Sequence, residues 1–166
     1  MNSLSDDKEF KSQLNRAFNT CLRFLGPRAR SVKEIQDHLA KKKFTPVTIE
    51  KTTEKLLQDR LLDDREFASL FVENREQFRP RSKFALAFEL RQKGINDKII
   101  DDVLKDIDEF KSAWSAVRPK LSLWHKFDDE KFKKKILNYL NNRGFSYEVS
   151  LSTYNRCRSY IVEKDK

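Results

Sequence analysis

Glycine, proline, cysteine and histidine are scarce in this chain, and each shortage excludes something. Three Gly and four Pro in 166 residues leave few obligatory breaks, so long regular elements are expected rather than a loop-rich scaffold. The two cysteines, Cys21 and Cys157, stand in no ligand or redox motif. They fit buried thiols in a reducing compartment, the cytoplasm, better than a disulfide framework. His38 and His125 lie far apart with no Cys or His at ligand spacing, which removes zinc and leaves two surface histidines. No Gly-rich phosphate loop occurs, and no Ser or Cys has a suitably placed His, so ATP binding, nucleophilic catalysis and a cofactor are not expected. No run approaches ~18 apolar residues. The opening stretch from Met1 to Lys11 is polar and acidic, so neither a membrane span nor an export signal is read.

What is present is charge and phenylalanine. Hydrophobic residues make up 38% and charged residues 37%, with thirteen Phe and a formal charge of +9. That balance suits thin layers of amphipathic helices anchored by large rings. The positive excess points to an anionic partner, against the plainer reading of a solvated basic surface.

Apolar residues at helical spacing, with caps between them, predict an all-α chain. Leu14, Phe18, Cys21, Leu22 and Leu25 form the first helix, ended by Gly26-Pro27. Ser31 and Glu34 make a capping box for the second, which buries Ile35 and Leu39. Pro46 fits the first turn of the third, with Ile49, Leu56 and Leu57 inward. A fourth opens near Asp63 or Asp64 and runs through Phe67, Ala68, Phe71 and Val72 to Arg79-Pro80. Ser82 caps a fifth whose broad apolar side is Phe84, Ala87, Phe88 and Leu90, and Gly94 ends it. Asn96 caps a sixth carrying Ile99, Ile100, Val103, Leu104 and Ile107, followed by a weaker seventh over Phe110 to Arg118. The eighth, from Asp128 or Asp129, turns Phe132, Ile136 and Leu140 inward and ends at Gly144. Ser146 caps the ninth, through Val149, Leu151, Tyr154, Cys157 and Ile161.

These helices repeat. With Phe44, Ile95 and Phe145 in register, at spacings of 51 and 50 residues, Leu39 aligns with Leu90 and Leu140, and Ile35 with Leu86 and Ile136. A period of roughly fifty residues is the mark of a repeat architecture. The turns Lys93-Gly94-Ile95 and Arg143-Gly144-Phe145 share a basic residue, a left-handed Gly and an apolar residue that folds back. Lys43 breaks this pattern in the first repeat, which must either end its helix differently or carry strain. The division expected is 1–60, 61–109 and 110–166, three units in tandem.

Ser31-Val32-Lys33-Glu34-Ile35, Leu62-Asp63-Asp64 with Phe67-Ala68, Glu89-Leu90-Arg91-Gln92-Lys93-Gly94-Ile95 and Arg143-Gly144-Phe145-Ser146, in that order, resemble the RecX family of regulators of the RecA recombinase. The resemblance runs from about Ala17 to Tyr154. It implies tandem three-helix repeats in an elongated, curved array and binding along the groove of the RecA filament on single-stranded DNA. It also implies inhibition of strand exchange, ATPase and coprotease function in recombination, repair and the SOS response, with no catalytic residue. Direct contact with DNA is left open, and a monomer without membrane attachment is expected. The chain departs from the family pattern where Lys43 and Arg60 replace turn glycines and where Arg79-Pro80-Arg81 lacks one.

Asp63-Asp64, at the head of a helix, read as caps rather than paired catalytic carboxylates. Asp101, Asp102, Asp106, Asp108 and Glu109 read as a solvated helix face. Trp114, Trp124, Tyr139, Tyr147 and Tyr154 are of the kind that stack on bases, but their helical spacing favours the core. The candidate binding residues form a basic stripe recurring across the repeats: Arg28, Arg30, Lys41 and Lys42; Arg79, Arg81 and Lys83; Lys131, Lys134 and Lys135; and Arg143, Arg156 and Arg158. Such a stripe suits phosphates or an acidic protein groove. The competing readings are a stand-alone basic DNA-binding protein and an adaptor for an unrelated protein.

Overall fold

The computed structural model describes residues 3–164, and every regular element among them is helical. In chain order these are α1 (Ser3–Leu25), α2 (Val32–Lys41), α3 (Pro46–Gln58), α4 (Asp64–Phe78), α5 (Lys83–Gln92), α6 (Asp97–Leu104) and α7 (Glu109–Val117). A 3-10 turn (Arg118–Lys120) then leads to α8 (Leu121–Trp124), α9 (Asp129–Asn141) and α10 (Tyr147–Lys164). The polar N-terminal stretch is helical from Ser3, so α1 starts well before the periodic apolar residues. The turn around Pro119 and the short α8 break a segment too brief for periodicity to register.

The chain packs as two compact units, residues up to 68 with 91–99, and residues 69–90 with those from 100 onward. In the first, α1 and α2 lie on α3, and Ala17, Cys21, Ile35, Leu39, Leu56 and Leu62 form the core. In the second, α10 packs on α9 and α7 over Val117, Phe132, Ile136, Leu140, Phe145, Val149 and Cys157. Both cysteines are free and buried. Burial pushes the Cys21 thiol up to about 11 and that of Cys157 up to about 12, where neither is nucleophilic at neutral pH.

The expected caps are in place. Ser31 and Glu34 exchange hydrogen bonds as a capping box, and Pro46 follows the N-cap Thr45 in the first turn of α3. Asp63 accepts from the Arg65 and Glu66 amides, so its carboxylate does cap the head of α4. The neighbouring Asp64 does something the sequence hid. It accepts the amide of Val32, the first residue of α2, at 2.9 Å. The pair recurs at the start of α7, where Asp108 caps its own helix and Glu109 accepts the amide of Lys83, the first residue of α5, at 2.9 Å. Asp108 and Glu109 are thus corrected from solvated charges to a local cap and a tertiary clamp.

The first-repeat turn resolves in favour of strain. Lys43 has φ 66, in the same left-handed region as Gly94 at 77 and Gly144 at 85. The Lys43 amide donates to Ala40 and the Phe44 amide to Leu39, the two bonds of a Schellman ending. Arg60 repeats the geometry at φ 56, with the Leu61 amide donating to Leu56. Two of the three departures from the family pattern therefore keep the glycine backbone without the glycine. A left-handed Cβ costs roughly 1–2 kcal/mol, offset in part by the unfolded-chain entropy that Gly adds, about 0.4–1 kcal/mol. Lys43→Gly is expected to raise the thermal midpoint by roughly 2–4 °C, on the scale of about 1 kcal/mol for a chain of this size. A midpoint that stays or falls would show that the turn carries no strain.

Several side chains expected inside lie outside. Leu57, Phe84, Phe88 and Tyr147 are exposed. Leu56 takes the inward position of α3, leaving Leu57 about 100° round the helix. On α5, Leu86 and Leu90 form the inward stripe, and Phe84 and Phe88 stand about 200° away from them.

Candidate binding surfaces

In the first unit, the basic residues are bound into the structure to different degrees. Arg28 and Lys93 both reach Glu34, at 2.9 and 2.8 Å, while the Ser31 amide donates to the same carboxylate. Burial pushes Glu34 upward, but these hydrogen bonds and the Arg28 charge outweigh it and hold the carboxyl at about 2. Arg28 is thus half-committed to a structural ion pair. Arg30 donates to the Phe24 carbonyl and lies over the Phe24 ring at 3.8 Å. His38 stacks nearly parallel on that ring at 4.0 Å. Since two groups cannot share one face, Phe24 is sandwiched between a guanidinium and an imidazole. His38 is therefore a packed residue, half-buried rather than free on the surface. Burial first, then the charges of Lys42, Arg30 and Lys41, hold its pKa below the ordinary histidine value. Thr20, Arg23, Phe24, His38, Lys42 and Phe44 line a shallow groove here. Lys41 and Lys42 at the end of α2 are exposed.

The second unit seats its cations on aromatic rings. Lys131 and Lys135 approach the Phe127 ring at 4.5 and 4.9 Å, Arg143 lies 4.1 Å over Tyr139, and Arg156 lies 4.3 Å over Trp114. Lys133 approaches Tyr154, itself buried, at 5.6 Å. Tyr139 in turn meets Trp124 edge-on, and Trp114 meets Tyr160. The rings raised as base-stacking candidates, apart from exposed Tyr147, are thus packed on the core with cations over several of them. A ring face holds a cation in place without neutralising it, so the charge remains for an anion. The remaining candidates divide. Arg81 pairs with Glu89 at 3.2 Å and Arg158 with Asp129 at 3.4 Å. The Lys83 ammonium donates to the Lys105 carbonyl. Arg79 and Lys134 are exposed.

One junction brings candidates together. The buried Ser82 donates its amide to the Arg143 carbonyl at 3.1 Å, which sets the Arg143-Gly144 turn against the loop holding Arg79 and Arg81. A Cβ on Gly144 would stand 2.5 Å from Ser82 Oγ and 2.9 Å from Ala85 Cβ. The first unit has a matching contact, in which a Cβ on Gly94 would stand 2.6 Å from Lys33 Cβ. In both places a glycine turn docks on the head of an α-helix, α2 or α5. Each helix head is also held by the borrowed carboxylate, Asp64 or Glu109. Spacing alone signalled the glycines but not these partners.

The architecture defines a protein of repeated three-helix modules with cationic, ring-supported faces. The comparisons place it more closely. Residues 17–56 match the first three-helix domain of RecX and residues 63–104 the second. The regulatory protein RecX of Chlorobium phaeobacteroides is 42% identical over 141 residues, covering 85% of this chain and 88% of the relative. That of Prosthecochloris aestuarii is 35% identical over 142 residues, covering 86% and 93%. The chain belongs to the RecX family of regulatory proteins. Its fold is shared with a crystal structure of RecX from Lactobacillus salivarius, at a TM-score of 0.74 and 20% identity over 89% of this chain and 98% of that one. A crystal structure of regulatory protein RecX gives 0.77 at 20% identity, over 93% and 78%. No helix among the described residues is long and apolar enough to cross a membrane.

Proposed function

We propose that this chain binds the RecA filament on single-stranded DNA and restrains it, lowering strand exchange, ATP hydrolysis and coprotease action in repair, recombination and the SOS response. Family membership, at 42% identity over most of the chain, is the observation that carries this reading. In it the protein works in the cytoplasm as a monomer, without cofactor or catalytic residue. Three repeats, at 1–60, 61–109 and 110–166, form an elongated, curved array that follows the filament groove. Binding alone suffices for such regulation, because a ligand that favours one filament state shifts the equilibrium by its differential affinity.

The basic residues supply the electrostatic part. Arg30, Lys131, Lys135, Arg143 and Arg156 are each held over a ring, which lowers the entropy lost when they meet phosphates or carboxylates. Arg28, Arg81 and Arg158 already have carboxylate partners and contribute less. The exposed Lys41, Lys42, Arg79 and Lys134 add charge, and Lys83, whose ammonium donates to the Lys105 carbonyl, adds one more.

Substoichiometric protein added to RecA-catalysed strand exchange should inhibit it, and no inhibition at any ratio would sink the proposal. Titration of single- and double-stranded DNA without RecA separates the stand-alone DNA-binding reading. Tight binding there, with a log-salt slope of about −0.7 to −0.9 per phosphate and indifference to RecA, would favour that alternative. Within the leading reading, charge reversal at Lys134, Lys135 and Arg143 together should weaken inhibition roughly tenfold. Unaltered inhibition by a folded triple variant would remove this patch.

A further inference from the structure

Helix α5 is apolar on two sides, and only one of them is used by the core. Leu86 and Leu90 are fully buried, yet Phe84 is 76% exposed and Phe88 55%. One turn apart on the same helix, they make a ridge of two neighbouring rings in the second unit.

The fold does not demand these rings. In the register of the repeats, Phe84 corresponds to Lys33 and Lys134, and Phe88 to Asp37 and Asn138, displaced by 51 and 50 residues. In the first repeat those positions hold an exposed i,i+4 ion pair, Lys33 with Asp37. In the third, Lys134 and Asn138 are exposed. Three helices thus occupy one structural role, and two of them put polar groups where α5 puts phenylalanine. Paired rings left in water on a helix are a recognition signature, since a helix seats in an apolar groove through anchors one turn apart.

Charge around the ridge specifies the groove. Glu89 is the one carboxylate on α5, and it is taken up by Arg75 at 2.8 Å and Arg81 at 3.2 Å. Arg79 is exposed, and Lys83 is half-buried just before Phe84. Glu109 also stands at the head of α5, on the Lys83 amide, so Arg75, Arg79, Arg81 and Lys83 face two carboxylates; the balance is positive and the complementary rim is acidic.

We infer that the Phe84–Phe88 ridge is a docking face that seats in an apolar groove, edged by carboxylates, on the protein that this chain binds. The inference rests on the filament-binding reading and adds to it the anchoring side chains and the chemistry of the surface they enter. Aromatic anchors with a basic rim concentrate binding energy in few residues.

The test gives the second repeat the polar pair of the first, as the double variant Phe84→Lys, Phe88→Asp. Its thermal midpoint is compared with the parent chain, and binding to RecA filaments and to naked single-stranded DNA is measured for both. The expected result is a folded variant whose filament affinity falls at least about tenfold while naked-DNA affinity changes less than about twofold. Should the double variant melt early, Phe84→Gln alone serves the same comparison at the more exposed position. Undiminished filament binding by a folded variant overturns the inference and leaves the filament-binding reading standing. Equal losses on filament and naked DNA overturn it in favour of base stacking. A parent chain that self-associates through the ridge, shown by sedimentation of parent and variant, overturns it in favour of a second copy. A parent chain that binds no filament removes both the inference and the reading beneath it.

Discussion

Gly144→Ala should be among the most damaging single-methyl changes in this protein, costing about 3 kcal/mol and lowering the thermal midpoint by roughly 6–12 °C. Two costs combine. At φ 85 any Cβ meets its own backbone, for roughly 1–2 kcal/mol. The added carbon also stands 2.5 Å from Ser82 Oγ and 2.9 Å from Ala85 Cβ. Neither neighbour can yield cheaply. Ser82 is buried and its hydroxyl accepts the Ala85 amide as the cap of α5, while the Ala85 Cβ is fixed to the helix backbone. Relief requires moving the α9–α10 turn away from α5 and losing the Ser82-to-Arg143 hydrogen bond. A thermal melt checks this, and an unchanged midpoint would mean that the turn is not docked there. Lys43→Gly should move the midpoint the other way, so the same backbone conformation is tested with opposite signs.

Glu34→Gln should cost about 2–3 kcal/mol and should do so only above acidic pH. Glu34 is 14% exposed and binds Arg28, Lys93 and the Ser31 amide. Removing its charge leaves two cations without their common partner. The figure is kept below that of a fully buried pair because both cations reach solvent. The sign of the pH dependence follows from linkage. The folded carboxyl sits at about 2 against an ordinary 4.5, so the unfolded chain takes up its proton first. Its stabilisation is complete above about 4.5 and is lost as pH falls towards and through 2. Midpoints of the two proteins should therefore differ most near neutrality and converge by pH 2. A gap that stays constant across that window would assign the loss to packing rather than charge.

Much of the fold was legible because its signals are local. Ser31 and Glu34 lie three residues apart, Pro46 follows its cap directly, and the Gly94 and Gly144 turns carry their own φ requirement. Lys43 could be flagged from the register alone, because the same turn recurs twice with Gly. What sequence hid is long-range or rotational. Asp64 reaches Val32 across 32 residues and Glu109 reaches Lys83 across 26, distances at which no spacing rule operates. On α5 the repeat register set Leu86 and Leu90 in line with the inward Ile35 and Leu39, but periodicity grouped Phe84 and Phe88 with the buried side, and both lie outside. The basic stripe was readable as composition. Which cations are seated on rings and which are spent on carboxylates depends on tertiary neighbours: Arg143 meets Tyr139 one helical turn away, but Arg156 meets Trp114 from another helix.

Whether this chain restrains RecA by binding its filament is read from single-strand-dependent ATP hydrolysis by RecA, followed as the protein is titrated in. Hydrolysis is expected to fall at protein levels well below that of RecA, and added salt to relieve the effect as the cationic contacts are screened. Hydrolysis that continues unchanged at every ratio, from a folded protein at low salt, would contradict that restraint.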